Sequence, residues 1–294
     1  MTNRSRQHGF TLIEMIVVIV ITGIIAGIIS TFITRPIEGY VNLSQRAALV
    51  YNAESAIRQM QHDIHIALPN SVRINTAKNA LELLSTVEAM RYRTRPPGDA
   101  TTRLDFASPD DQFDVFGNFS RLGSLPFSSS SARIAIYNIG ALDYATVPPT
   151  PIAGANAYAG PNAAGANVIT PAGTTITVTD NGDEDQVSIS PAFQFSFESP
   201  AQRLYVVDTP VSYICDTTAG TLTRYSGYNI QTTQPVPPAS GGTLLAENIT
   251  SCDFSYQPGN SQRAAVVGLK LTLKVPGRSD RIQLLQQVHL ENTP

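Results

Sequence analysis

Gly9-Phe-Thr-Leu-Ile-Glu14-Met-Ile-Val-Val-Ile-Val-Ile-Thr-Gly23-Ile-Ile-Ala-Gly27-Ile-Ile-Ser-Thr-Phe-Ile-Thr34 is an apolar run broken near its start by one acid. From Met15 to Thr34 there is no charge, and about 20 such residues at ~1.5 Å of helical rise span roughly the 30 Å hydrocarbon core of a bilayer. Before it lies a short polar leader, Met1 to Gly9, with Arg4 and Arg6 and no acid. The positive-inside rule therefore places the N-terminus in the cytoplasm and the rest of the chain across the membrane. An ordinary secretory signal has its apolar region before the cleavage site. Here the expected site, Gly9 followed by Phe10, comes first, so a cut there keeps the membrane helix.

A carboxylate in such a helix costs about 2.5 to 3.5 kcal/mol on insertion scales and is expected to be paired or functional. Cleavage after Gly9 would free an α-amine at Phe10, largely protonated at neutral pH, only a few residues from Glu14. That amine could meet the Glu14 of a neighbouring copy in a helical bundle. The run Gly9-Phe10-Thr11-Leu12-Ile13-Glu14, with its basic leader and apolar helix, resembles the processing signature of type IV pilins and type II secretion pseudopilins. The resemblance implies a prepilin peptidase that cuts after Gly9 and N-methylates Phe10, with Glu14 aligning the subunit on a neighbour's amine. A plain signal anchor carrying a stray acid is the alternative. Gly23 and Gly27 stand at small-residue spacing for close helix packing.

Beyond Arg35-Pro36 and Gly39, the residues Val50, Ala53, Ile57, Met60, Ile64 and Ala67 recur at alternating spacings of three and four, one apolar helix face. Arg46, Asn52, Glu54, Arg58, Gln59 and Asp63 mark the polar face. Pro36 removes a backbone donor and Gly39 adds freedom, which predicts a kink or a short unwound segment. Leu68-Pro69 supplies the stop. The divisions expected are a leader at 1–9, a transmembrane helix at 10–34, an amphipathic continuation at 35–68 and a β-rich head at 69–294. A coiled-coil seam is the other reading of the 50-to-67 stripe, but paired charges at flanking positions are missing. The resemblance implies a pilin spine, one half packing on other subunits and the other on its own sheet.

The head shows short β-type runs between turn residues, among them Ala80 to Ser85, Ala89 to Thr94, Ala132 to Ile139, Phe193 to Glu198 and Val266 to Lys274. The fold class expected is α+β: a long N-terminal helix followed by a mostly antiparallel sheet. Pro148 to Gly173 lacks any period and reads as a long surface loop between an early subsheet, about Ser71 to Ile139, and a later one from Val168. Thr233 to Gly242 reads as a connection. The two cysteines, Cys215 and Cys252, lie beyond the membrane by the topology argument, where disulfides persist. A bond between them would add about 4 kcal/mol in the chain-entropy model. Unpaired or metal-bound cysteines are the alternatives, though no nearby histidine gives zinc spacing.

The blocks Thr209-Pro-Val-Ser-Tyr-Ile-Cys215, Leu222-Thr-Arg-Tyr225 and Leu244 through Cys252 to Tyr256 are similar to the C-terminal half of minor pilins of the MSHA type IV pilus, and more distantly to J-type minor pseudopilins. The head is larger than a major subunit needs, which favours a scarce subunit. The partners so implied are prepilin peptidase, other minor and major pilins, an inner-membrane assembly platform and membrane lipid.

Catalytic patterns are lacking: there is no nucleophile elbow, phosphate loop or dinucleotide fingerprint. No cofactor, metal or enzymatic activity is expected. His62 and His65, with Asp63 between them, read as solvated or interface residues rather than ligands. Asp180-Asn-Gly-Asp183-Glu184-Asp185 lacks calcium-loop spacing and reads as a solvated hairpin turn; Asp110, Asp111 and Asp114 read as a polar loop. Net charge is -3, and losing the two leader arginines makes it more negative, against a nucleic-acid partner. Arg91, Arg93, Arg95 and Arg103 are the nearest thing to a basic stripe. Three classes compete: a fibre assembly subunit, which is favoured, a binding head for carbohydrate, mineral or DNA, and an anchored enzyme.

Overall fold

A computed structural model describes residues 10–94, 102–259 and 264–290. The leader with Gly9, and Arg95, lie outside them. The chain divides between Tyr51 and Asn52 into two compact units. One helix, α1 (Leu12–His65), contributes to both. It stays helical through Pro36 and Gly39, so no turn is unwound. Proline forfeits one donor but keeps a helical φ, and the helical runs on either side carry it. The helix stops at His65, short of the expected Leu68, because sheet pairing captures the chain. Ile66 O accepts from Thr86 N at 3.0 Å, and Leu68 N donates to Leu84 O at 2.8 Å.

Among the described residues the head holds fifteen strands: β1 (Arg73–Ile74), β2 (Ala80–Arg91), β3 (Asp110–Val115), β4 (Phe127–Ser129), β5 (Arg133–Ile136), β6 (Leu142–Asp143), β7 (Thr150–Pro151), β8 (Thr175–Asp180), β9 (Asp185–Phe193), β10 (Arg203–Asp216), β11 (Thr221–Ser226), β12 (Gly242–Glu247), β13 (Ile249–Gln257), β14 (Ala265–Lys274) and β15 (Arg281–Leu290). The largest sheet runs β1-β2-β10-β11-β12, with β5 also on β10. A four-stranded sheet runs β3-β9-β8-β4 and a three-stranded one β13-β14-β15. Pairing between these strands is antiparallel, as expected.

β10 is the centre. Its first half lies between β2 and β5, with Leu204 opposite both Met90 and Ile136; its second half lies between β2 and β11, with Tyr213 opposite Leu81 and Arg224. Alternation along a strand sends neighbouring side chains to opposite faces. Val211 and Tyr213 therefore share a face with Leu81, Leu83 and Arg224, while Ser212 shares the other with Glu82.

Three expectations are corrected here. The early and late strands do not form successive subsheets, since β2 and β5 both pair with β10 and β3 pairs with β9. The 148-to-173 segment is not a surface loop throughout: Ala157, Tyr158, Val168 and Ile169 are buried with Leu68, Leu84 and Val207. Asparagines supply the partners that strands would otherwise give: within the segment Asn162 Oδ1 accepts from Ala164 N and Ala166 N, and from outside it Asn138 Oδ1 accepts from Ala157 N. Phe193 to Glu198 is not a strand. Phe193 ends β9, and Phe195 is buried edge-on to its ring at 5.0 Å with one bridge nearby, so the alternation there recorded burial rather than pairing.

Candidate functional site

The start of α1 is capped by Thr11. Its carbonyl accepts from Met15 N at 3.2 Å and its Oγ1 from Glu14 N at 3.4 Å. A Thr followed three residues later by Glu is a capping-box pattern, and an acid in the first turn also meets the positive end of the helix dipole. The sequence carries this signal in Thr11-Leu-Ile-Glu14, independent of any pairing of the Glu14 charge. Glu14 therefore has a local role available in addition to any partner in another chain.

Phe10 and Leu12 are 78% and 80% exposed, and the large side chains from Ile13 through Ile33 are exposed with them. A Cβ placed on Gly23, Gly27 or Gly39 meets nothing within 4 Å. A continuous apolar surface of this size is not stable in water, and the helix is long and apolar enough to cross a membrane. Residues 4–30 match the prokaryotic N-terminal methylation motif. That match supports a type IV pilin-like protein, and implies processing by prepilin peptidase and assembly with other pilins. The long apolar helix followed by antiparallel sheets is a pilin-like architecture. No curated protein and no solved structure matches the chain.

Within the head unit of this pilin-like chain, Ala53, Ile57, Met60 and Ile64 are buried. Asp63, expected on the polar face, is buried as well. Its Oδ2 accepts from Tyr213 Oη at 2.6 Å and from Arg224 Nε at 2.7 Å, and its Oδ1 accepts from Gln59 Nε2 at 3.1 Å. It sits between Met60 and Ile64 on the margin of the apolar stripe, where periodicity alone does not decide the face. Burial first, and Asp63 second, push the Tyr213 hydroxyl far above its usual pKa. The helix is thereby fixed to β10 and β11 by charge-assisted hydrogen bonds. By contrast Glu54 and Arg58 form an exposed pair at 3.1 Å, which contributes little.

Cys215 on β10 and Cys252 on β13 are bonded, with Cα atoms 6.3 Å apart. Beside them Phe254 N donates to Lys78 O at 2.9 Å. These contacts tie the three-stranded sheet to the large one.

His62 and His65 are exposed, and no group of three His, Cys, Asp or Glu able to hold a metal occurs among the described residues. Asp180 to Asp185 does close the β8–β9 hairpin, but the turn is not simply solvated. Asp185 is buried and accepts from Phe119 N at 2.6 Å and Asn118 Nδ2 at 2.9 Å, and Glu184 pairs with Arg93. Asp114 is also buried and accepts from Gln186 Nε2 at 3.1 Å. Arg93 and Arg91 lie over the Phe116 ring, 4.9 and 5.6 Å from its centroid, and Arg91 donates to Gln202. Arg91 and Arg93 are thus engaged by the head's own side chains, while Arg103 is exposed.

Proposed function

We propose that the chain is a minor pilin of an MSHA-type IV pilus, of the MshO kind, that takes part in starting or assembling the fibre. The observation that carries the pilin reading is the methylation motif at residues 4–30 on a helix whose apolar surface is left exposed. The finer assignment rests on the sequence blocks around Cys215 and Cys252. A minor pseudopilin of type II secretion is supported equally by the motif.

In this reading residues 1–9 are removed, 10–34 lie in the inner membrane, the helix from 35 to its end at His65 continues the spine with a bend at Pro36 and Gly39, and the head is periplasmic until the subunit enters the fibre. Apolar helices pack side by side, with Gly23 and Gly27 admitting close backbone approach. Glu14 fixes axial register by pairing with the methylated Phe10 amine of a neighbour.

The test is the intact mass and N-terminal sequence of the protein from its native membrane, with and without the peptidase. A chain starting at N-methylated Phe10 only when the peptidase is present supports the reading; a chain still starting at Met1 overturns it. Deletion of the gene then separates the systems, since loss of surface fibres points to the pilus and periplasmic retention of secreted proteins points to the pseudopilus.

A further inference from the structure

On the β5/β11 side of β10 the large sheet has a gap. β5 pairs as far as Arg133 opposite Val207, and β11 begins pairing only at Val211 opposite Ser226. Asp208, Thr209 and Pro210 fall between, at the point where pairing with β2 on the other side also shifts register. A cleft of about 570 Å³ occupies this gap, walled by the Ser130–Ser131 turn, Gly173 and the Ser226-to-Ile230 segment. Thr209 holds the far wall in place, its Oγ1 accepting from Gly227 N at 3.0 Å.

Arg133 lines the cleft, is partly buried, and has no hydrogen-bond or ion-pair partner among the described residues. Burial alone acts on its guanidinium, pulling its pKa below the usual value with nothing to offset it, yet an arginine stays charged at any pH the protein meets. Charges taken out of water are ordinarily paired, and every other partly buried arginine described above has a partner. The one acid on the cleft, Asp208, is exposed and makes no ion pair with Arg133. It sets the rim's charge without neutralising the interior.

The volume is in the range of small-molecule sites and far exceeds what an inorganic ion fills. Its walls carry the hydroxyls of Ser130, Ser131 and Thr209, whereas Ser226 Oγ accepts from Arg224 Nη1 at 3.2 Å. A lone guanidinium opposed by a rim carboxylate favours a single negative charge over a dianion. We infer that this gap is a binding site for a carboxylated saccharide unit, whose carboxylate takes the fork of Arg133 and whose hydroxyls face the serine and threonine walls. The site gives the head a recognition role separate from fibre assembly.

The test is calorimetric titration of the full mature chain in nanodiscs with D-galacturonate, D-galactose and inorganic sulfate. Galacturonate should bind, with galactose and sulfate each weaker by roughly tenfold or more, the worth of a charge-assisted hydrogen bond. Arg133→Gln should lose about as much while keeping the far-UV spectrum and thermal midpoint, and Arg133→Lys should recover only part. Asp208→Asn, an exposed change, should tighten galacturonate binding. No binding of galacturonate, equal binding of galactose or sulfate, or indifference to both Arg133→Gln and Asp208→Asn overturns the assignment.

Discussion

Asp63 and Tyr213 lie 150 residues apart and share a 2.6 Å hydrogen bond, with Arg224 closing on the same carboxylate oxygen. The pair is the polar joint between the end of the spine helix and the central strand. Removing one side of a buried pair strands the other, so Asp63→Ala should cost about 3–5 kcal/mol. Tyr213→Phe leaves the Arg224 bond in place and should cost only about 1–2 kcal/mol. Denaturant titration of the mature chain followed by circular dichroism would decide, and equal losses in the two variants would show that the arginine contributes nothing.

The first turn of the helix separates two roles of Glu14. Glutamine serves in a capping box as glutamate does, whereas pairing with a neighbour's amine needs the charge. Glu14→Gln should therefore keep the helix start and normal membrane levels but be depleted from sheared fibres. Glu14→Ala should show the same depletion together with a weaker first turn, by about 1 kcal/mol. Quantitative blotting of fibre and membrane fractions is the measurement, and wild-type incorporation of the glutamine variant would end the pairing model.

Replacing both cysteines by serine opens a loop of separation 37 and should lower stability by about 4 kcal/mol in the chain-entropy model. Because the bond links β10 to β13, limited proteolysis of the double variant should begin within Ile249 to Leu290. Unchanged cleavage kinetics would mean that the sheet contacts alone hold that region.

Glu82 is buried against Arg73, whose Nε lies at 2.7 Å, and Tyr228. Burial, the largest influence, outweighs both partners and raises its pKa above the usual 4.5. A carboxyl raised in the folded state binds its proton more readily there than in the unfolded chain. Its contribution is then fully present below the unfolded value and is lost as pH rises through the folded one. Relative to Glu82→Gln, the wild type should gain stability on acidification from neutral pH toward 4.5. Thermal midpoints of the two proteins across that window would show it, and a difference independent of pH would contradict it.

The helix, the antiparallel head and the pairing of Cys215 with Cys252 were legible because each rests on a local or unambiguous signal: an uncharged run, strand alternation and a chain with two cysteines, both beyond the apolar helix. What escaped depends on distant partners. Asp63 sits on the border of its stripe, and only the arrival of Tyr213 and Arg224 decides that it is buried. The segment from 148 to 173 has no period, so burial of Tyr158 and Val168 under asparagine-bonded turns leaves no pattern to read. The gap beside Arg133 exists only through the staggered ends of β5 and β11.

The central position of β10 also governs the order in which the head can form. The chain is made from its N-terminus, so β2 and β5 are complete long before residues 203–216 exist to pair with them. Contacts of such sequence separation are slow to form. Until that one strand arrives, β2 and β5 keep the edges it will fill, and both the helix joint at Tyr213 and the crosslink at Cys215 wait on the same segment. A chain cut short before Arg203 keeps the strands of the β3-β9-β8-β4 sheet but lacks the one strand that joins β2 to β5.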